Sequence, residues 1–172
     1  MNKRKIDLFS YSELINKAYE QGIFLTTKNG NKVNSMVIGW GTLGIIFEKP
    51  MFIVYVRNNR YTHELLDNNP EFTINVPLNN IDKNLIRICG SKSGRDIDKI
   101  KECHFNLVEP NIISVPGIKE LPLTIECKVI YQIDQETPKL PEEIRKRFYG
   151  HEQNTYHTVY YGEIVDAYII EK

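Results

Sequence analysis

Ile23-Phe24-Leu25-Thr26-Thr27-Lys28-Asn29-Gly30-Asn31-Lys32-Val33-Asn34-Ser35-Met36-Val37-Ile38-Gly39-Trp40 decides the fold. Gly22 opens a β run, Ile23 to Thr27. Asn29-Gly30 supplies the two residues that most readily adopt positive φ in a tight hairpin. The return strand, Val33 to Trp40, alternates: Val33, Ser35 and Val37 face one way, and Asn34, Met36 and Ile38 the other. Working outward, further strands are read at Ile45–Phe47, Met51–Val56, Phe72–Val76, Phe105–Val108 and Leu123–Ile133. Thr155–Ile170 reads as one long bent strand or two short ones. Thr124, Glu126 and Lys128 are expected to point outward.

Helical patterns lie between the strands. Residues 1–20 form a lead-in with Ser12 as N-cap of a turn through Tyr19. Tyr61–Asn68 is a helix capped by Asn59 and halted before Pro70. Ile81–His104 is mostly helical, broken by a loop from Cys89 to Gly94, and Asn111–Gly117 is a second loop. Thr137–Gly150 is an excursion with a basic cluster. Strands joined by tight turns, with helices inserted, predict a mainly β fold: a closed or split β-barrel rather than βαβ units.

Two glycine motifs need rejecting. Gly39-Trp40-Gly41-Thr42-Leu43-Gly44 matches the dinucleotide fingerprint in letters. That fingerprint has meaning only where it opens a helix, and Ile45-Ile46-Phe47 followed closely by Pro50 is β-like. A flat ligand against the backbone, or a barrel bend, would explain the glycines instead. Gly90-Ser91-Lys92-Ser93-Gly94-Arg95 is one residue short of a P-loop and lacks the following Lys-Ser or Lys-Thr.

The 172 residues suit one domain spanning 1–172. Lys plus Arg and Asp plus Glu total 22 each, so an anion site must come from local arrangement, and nucleic acid is not an expected partner. An oligonucleotide-binding barrel of the OB type is the non-enzymatic alternative, opposed by this neutrality. Cys89, Cys103 and Cys127 form no C-x-x-C pair, so reduced thiols are expected rather than disulfides or zinc. Neither a signal peptide nor a membrane span is expected, and the reading is a cytoplasmic protein. No metal site and no catalytic triad are expected, since the four histidines are scattered and no nucleophile elbow occurs.

Val54-Tyr55-Val56-Arg57-Asn58-Asn59-Arg60-Tyr61-Thr62 carries the chemistry. A strand ends at Arg57 and a helix begins after Asn59. Such a junction offers free amides, the positive end of a helix dipole, two arginines and the Thr62 hydroxyl. A phosphomonoester needs those donors. A capped helix with two solvated arginines would leave the same pattern.

Three blocks in order resemble the flavin reductase-like family, and within it the flavoredoxin-type FMN proteins. They are Asn34–Gly41, Tyr55–Thr62 and Cys89–Lys99. The resemblance implies an FMN-binding split β-barrel, present as a homodimer with FMN near the subunit interface. Asn34, Ser35 and Met36 would line the isoalloxazine edge, with Trp40 and Gly41 beside the ring. Arg57, Arg60, Tyr61 and Thr62 would hold the phosphate and ribityl end. Cys89, Gly90, Ser93 and Lys99 would close the other side. Lys99, with Asp96 as N-cap, would occupy a helix's first turn, a poor place for a cation unless an anion is near. Cys89 is read as a small buried residue with no partner cysteine nearby. His157 could approach nicotinamide or flavin, although a satisfied structural role is the simpler reading. The implied activity passes hydride from NADH or NADPH to FMN, and on to free flavin, a partner redox protein or a monooxygenase. An electron carrier without useful NAD(P)H activity is the alternative.

Overall fold

The computed structural model describes residues 2–150 and 154–171. Its strands are β1 (Lys3–Lys5), β2 (Ile23–Asn29), β3 (Lys32–Ile38), β4 (Gly41–Ile46), β5 (Lys49–Arg57), β6 (Glu71–Val76), β7 (Leu107–Val108), β8 (Gly117–Ile118), β9 (Leu123–Asp134) and β10 (His157–Ile170). The helices are α1 (Ser12–Gln21), α2 (Tyr61–Asn68), α3 (Lys83–Ser91), α4 (Lys99–Glu102) and α5 (Glu142–Tyr149). One antiparallel sheet runs β3-β2-β6-β9-β10-β5-β4, with β1 added on β10. It does not close: β3 and β4 remain as ends, which is the split of a split β-barrel.

Alternation along the strands separates two cores. Ile23, Leu25, Ile38, Phe52, Val54, Phe72, Ile74, Ile125 and Tyr160 fill the concave side of the sheet. Phe24, on the other face of β2, packs with Cys89, Cys103, Phe105, Ile118 and Leu121 beneath the helical segment. Each fully buried side chain of this size contributes about 1.5–3 kcal/mol relative to exposure. The segment from α3 to β8 is thereby pressed against the back of the β2–β3 hairpin. Among the described residues no helix is long and apolar enough to cross a membrane.

Several sequence expectations change. The glycines at 41 and 44 lie inside β4, and the turn falls at Phe47-Glu48, where φ is 56° and 58°. Gly41 serves packing: a Cβ there would run into Tyr19 Oη and come within 2.8 Å of the Ile53 carbonyl oxygen. Thr124 and Glu126 are fully buried, not outward. Glu126 accepts hydrogen bonds from the amides of Asn111, Ile112 and Ile113 at 2.7–3.2 Å, so its charge pins the loop that crosses the sheet. Helix α3 continues through Cys89 and Gly90 to Ser91, which displaces the expected loop toward 92–98. Ser12 begins α1, with Tyr11 at the cap position. The α2 cap is Arg60 rather than Asn59, and the α4 cap is Asp98 rather than Asp96, its carboxylate accepting from the Lys101 amide at 3.1 Å.

Candidate functional site

Strand β5 ends at Arg57, and after a three-residue turn α2 begins at Tyr61. The α2 start lies against Asn34 of β3, whose Nδ2 donates to Thr62 Oγ1 at 3.0 Å. Facing it across a cavity of about 200 Å³ are the end of α3, the 92–98 loop and Lys99. Asn34, Met36, Asn59, Arg60, Tyr61, Thr62, Cys89 to Arg95 and Lys99 line this cavity. No carboxylate is among them.

Lys99 dominates the electrostatics. It is 4% exposed, and its ammonium donates to the Cys89 carbonyl at 3.0 Å. An ammonium has three donors. Among the described residues no ion pair involving Lys99 is found within 4 Å. Burial lowers its pKa, and the neighbouring Arg60 guanidinium lowers it further. Arg60 also makes no side-chain hydrogen bond or ion pair among the described residues, and its guanidinium stands at the cavity rim. Two cations therefore meet without an internal counter-ion, an arrangement an anion relieves. The α2 N-terminus adds first-turn amides and the positive dipole end.

Other polar groups are committed elsewhere. Arg95 donates to Glu64 at 3.1 Å and to the Asn59 carbonyl at 3.2 Å, and lies over the Tyr61 ring. Gly94 packs so closely on Asn34 that a Cβ would overlap its Oδ1. That Asn34 Oδ1 is buried without a hydrogen-bond partner. The site thus holds an orphaned buried acceptor, a buried ammonium with no carboxylate beside it, and amides at a helix start, groups able to meet an anionic, hydroxyl-bearing ligand.

A second hollow of about 210 Å³ adjoins the first, sharing Met36 and Arg60 as lining. Val37, Ile38, Gly39, Trp40, Tyr55, Arg57 and His157 complete it. Its character is aromatic: Trp40 lies 4.6 Å from the His157 ring, 5.1 Å from Phe148 and 6.4 Å from Tyr55, centroid to centroid. His157 Nδ1 is 2.7 Å from the Tyr149 hydroxyl, which in turn donates to Gln135 at 2.6 Å. Burial, then Arg57 and Arg60, hold the His157 pKa down to about 4, so the ring is neutral at pH 7. Larger surface grooves, of about 780 and 540 Å³, hold no buried cation.

The structure thus gathers Asn34, Met36, Arg60, Tyr61, Thr62, Cys89, Gly90, Ser93 and Lys99 around the first hollow, and Trp40 and Arg57 in the second. Ser35 and Gly41 line neither. Ser35 faces the back of β3, where its hydroxyl accepts from Thr26 at 3.1 Å. Arg57 is engaged: its Nη2 donates to the Phe148 carbonyl at 2.8 Å, anchoring α5, and its guanidinium lies over Tyr149. Sequence reasoning missed Tyr55 and the Tyr149–His157 contact. Tyr55 comes beside Trp40 only through the pairing of β4 with β5, and nothing local ties α5 to either. It also missed that Cys89 has a partner, for Cys103 Sγ stands 3.7 Å from Cys89 Sγ.

Comparison with known proteins agrees with this architecture. The chain is 29% identical over 126 residues to an uncharacterized protein of Archaeoglobus fulgidus, covering 72% of this chain and 70% of that one. It is similar to the flavoredoxin of Methanosarcina acetivorans, with a TM-score of 0.67 and 26% identity over 87% of this chain and 68% of that one. An FMN-binding domain of a flavin reductase-like enzyme from Shewanella baltica shares the fold, with a TM-score of 0.68 at 19% identity over 98% and 77% of the two chains. Residues 17–172 match the model described as the flavin reductase like domain. With that match over most of its length and its split barrel, the chain belongs to the flavin reductase-like family.

Proposed function

We propose that this protein binds FMN non-covalently, its phosphate in the cation-walled cavity and its ring toward Trp40, and acts as an oxidoreductase passing hydride from NADH or NADPH to free flavin or a partner. The observation that carries the reading is Lys99: a buried ammonium without a carboxylate, beside Arg60, in a cavity continuous with an aromatic hollow. FMN when bound supplies the two-electron acceptor. The chain's own residues then bind and orient. Arg60, Thr62, Ser93 and the α2 amides take the phosphate oxygens, and Asn34 Oδ1 accepts from a ribityl hydroxyl. Lys99 holds positive charge where the ligand is anionic. Trp40, Tyr55 and Met36 wall the ring and keep water from one side of it. Neutral His157, oriented by Tyr149, offers a hydrogen-bonding nitrogen beside the ring without adding charge.

A homodimer belongs to the same reading. The outer face of β9–β10–β5 carries Tyr131, Ile133, Val159, Tyr161, Ile53 and Tyr55 in register, with Tyr131 48% and Ile133 46% exposed. An apolar aromatic face of that kind, bordering Trp40, suits a second copy. The likeness to the flavoredoxin of Methanosarcina acetivorans supports a second reading, an electron carrier reduced by a partner protein.

The decisive experiment is the visible spectrum of protein reconstituted with FMN and desalted, recorded before and after anaerobic NADH and then NADPH. Retained absorption near the flavin bands that bleaches with either nucleotide is the expected result. Retained flavin that neither nucleotide bleaches selects the carrier. Failure to retain flavin overturns both.

A further inference from the structure

Cys89 ends its side chain 3.7 Å from that of Cys103, with both residues buried at 1% and 7% exposure. Cys89 lies in the last turn of α3 and lines the anion cavity; Cys103 is the C-cap of α4. The chain between them is the opposite wall of that cavity: Gly90, Ser93, Gly94, Arg95 and Lys99 all fall inside it. The ammonium of Lys99 already ties the α4 start to the Cys89 carbonyl. The two sulfurs thus stand at the foot of a loop whose tip shapes the site.

We propose that Cys89 and Cys103 are a peroxide-oxidisable dithiol whose disulfide staples the loop walling the anion cavity. The sulfurs need to come about 1.6 Å closer to reach bonding distance. Burial raises both thiols, Cys89 up to about 12. A hydrogen bond from Cys89 works against the rise at Cys103, and Lys99 favours the thiolate at both. Cys103 therefore ionises first. Its thiolate attacks one oxygen of hydrogen peroxide; the S–O bond forms, the O–O bond breaks, and hydroxide leaves. The Cys89 sulfur then attacks the sulfenic sulfur, forming S–S and breaking S–O, and its thiol proton leaves with the departing hydroxide as water. Two thiols lose two electrons, peroxide gains two, and two waters result. Cys127, fully buried in the barrel with its thiol pushed well up, stays out of the reaction.

The proposal stands apart from the flavin reading, and its test does too. The full-length protein is treated with hydrogen peroxide, then unfolded for thiol titration and digested without reductant. Thiols should fall from the three of the sequence to one, the bonded pair being lost. The digest should yield a Cys89–Cys103 linked peptide two hydrogen masses lighter, restored by dithiothreitol. The rate should rise with pH as Cys103 ionises. Before unfolding, tryptic cleavage after the exposed Lys92 and Arg95 should be severalfold slower in oxidised than in reduced protein. Cys103→Ser in a Cys127→Ser background should abolish both the link and the difference. Three persisting thiols, a sulfinic acid at either position, or a disulfide with unchanged cleavage overturns the proposal. A missing flavin spectrum alters none of these readouts, so the two failures are distinguishable.

Discussion

The two hollows flanking Arg60 differ in how they are built. The first is walled by charge: Lys99 at 4% exposure, Arg60, helix-start amides and an orphaned Asn34 oxygen. The second is walled by rings: Trp40, Tyr55, Phe148 and His157. In the first, the unbound protein carries an unrelieved electrostatic penalty that a bound anion would remove, so the charges that favour binding cost the empty fold stability. In the second, ring contacts already satisfy one another. Affinity should therefore reside in the charged hollow, and tuning of the bound ring in the aromatic one.

Replacing the buried cation breaks that comparison most directly. Lys99→Met removes a charge-assisted contact worth about 1.5–3 kcal/mol, so FMN affinity should fall by about 10- to 100-fold in a fluorescence titration. The unbound protein should lose nothing in thermal stability, because a desolvation penalty goes with the charge. The sign with pH follows. With the folded pKa of Lys99 below its unfolded value, the unfolded chain holds more protons in the window between them. Stability of the unbound protein should rise with pH toward 10.5, relative to Lys99→Met. A variant that matches wild type in affinity would remove the phosphate from this cavity.

The two arginines sharpen it next. Arg60→Ala should weaken FMN binding by about tenfold, the value of one charged contact, without changing stability. Arg57→Ala should affect stability more than binding, costing about 1–2 kcal/mol in urea unfolding, because it frees the Phe148 carbonyl and α5. Equal losses of affinity would show that Arg57 turns to the phosphate.

In the aromatic hollow, His157 has a depressed pKa of about 4 against an ordinary 6.5. Its contribution is fully present above pH 6.5 and lost as pH falls through 4. A discounted loss of about 2 kcal/mol is expected across that window, allowing for screening by cavity water. His157→Gln should flatten this acid limb in pH-dependent unfolding. The smallest effect is expected from Trp40→Leu: FMN affinity within about fivefold of wild type, since one ring contact is worth about 0.5–1 kcal/mol, but altered flavin fluorescence. A Trp40 effect exceeding that of Lys99 would reverse the assignment of the two walls.

Much of this was legible in the sequence. The β2–β3 hairpin, the β5–α2 junction and α2 itself rest on rules that act within a few residues, and all appear, although the hairpin turn sits one residue later than Asn29-Gly30, at Gly30-Asn31, with Asn29 paired to Lys32 and Gly30 at positive φ. Local rules also erred in local ways. Asn59 and Asp96 are good caps by type, yet the turns begin one residue later for Arg60 and two later for Asp98. Glu126 looked outward because strand alternation does not know that a loop will cross that face.

By itself the chain's order of residues determined where strands, turns and the donor-rich junction would form, since those depend on backbone preferences and near neighbours. Only the tertiary structure decided that Lys99 is buried, that Arg57 belongs to α5, that Gly41 yields to Tyr19 and that Cys103 meets Cys89. Burial and pairing arise where segments distant in the chain are pressed together, and desolvation, which sets the charges of the site, exists only after they have met.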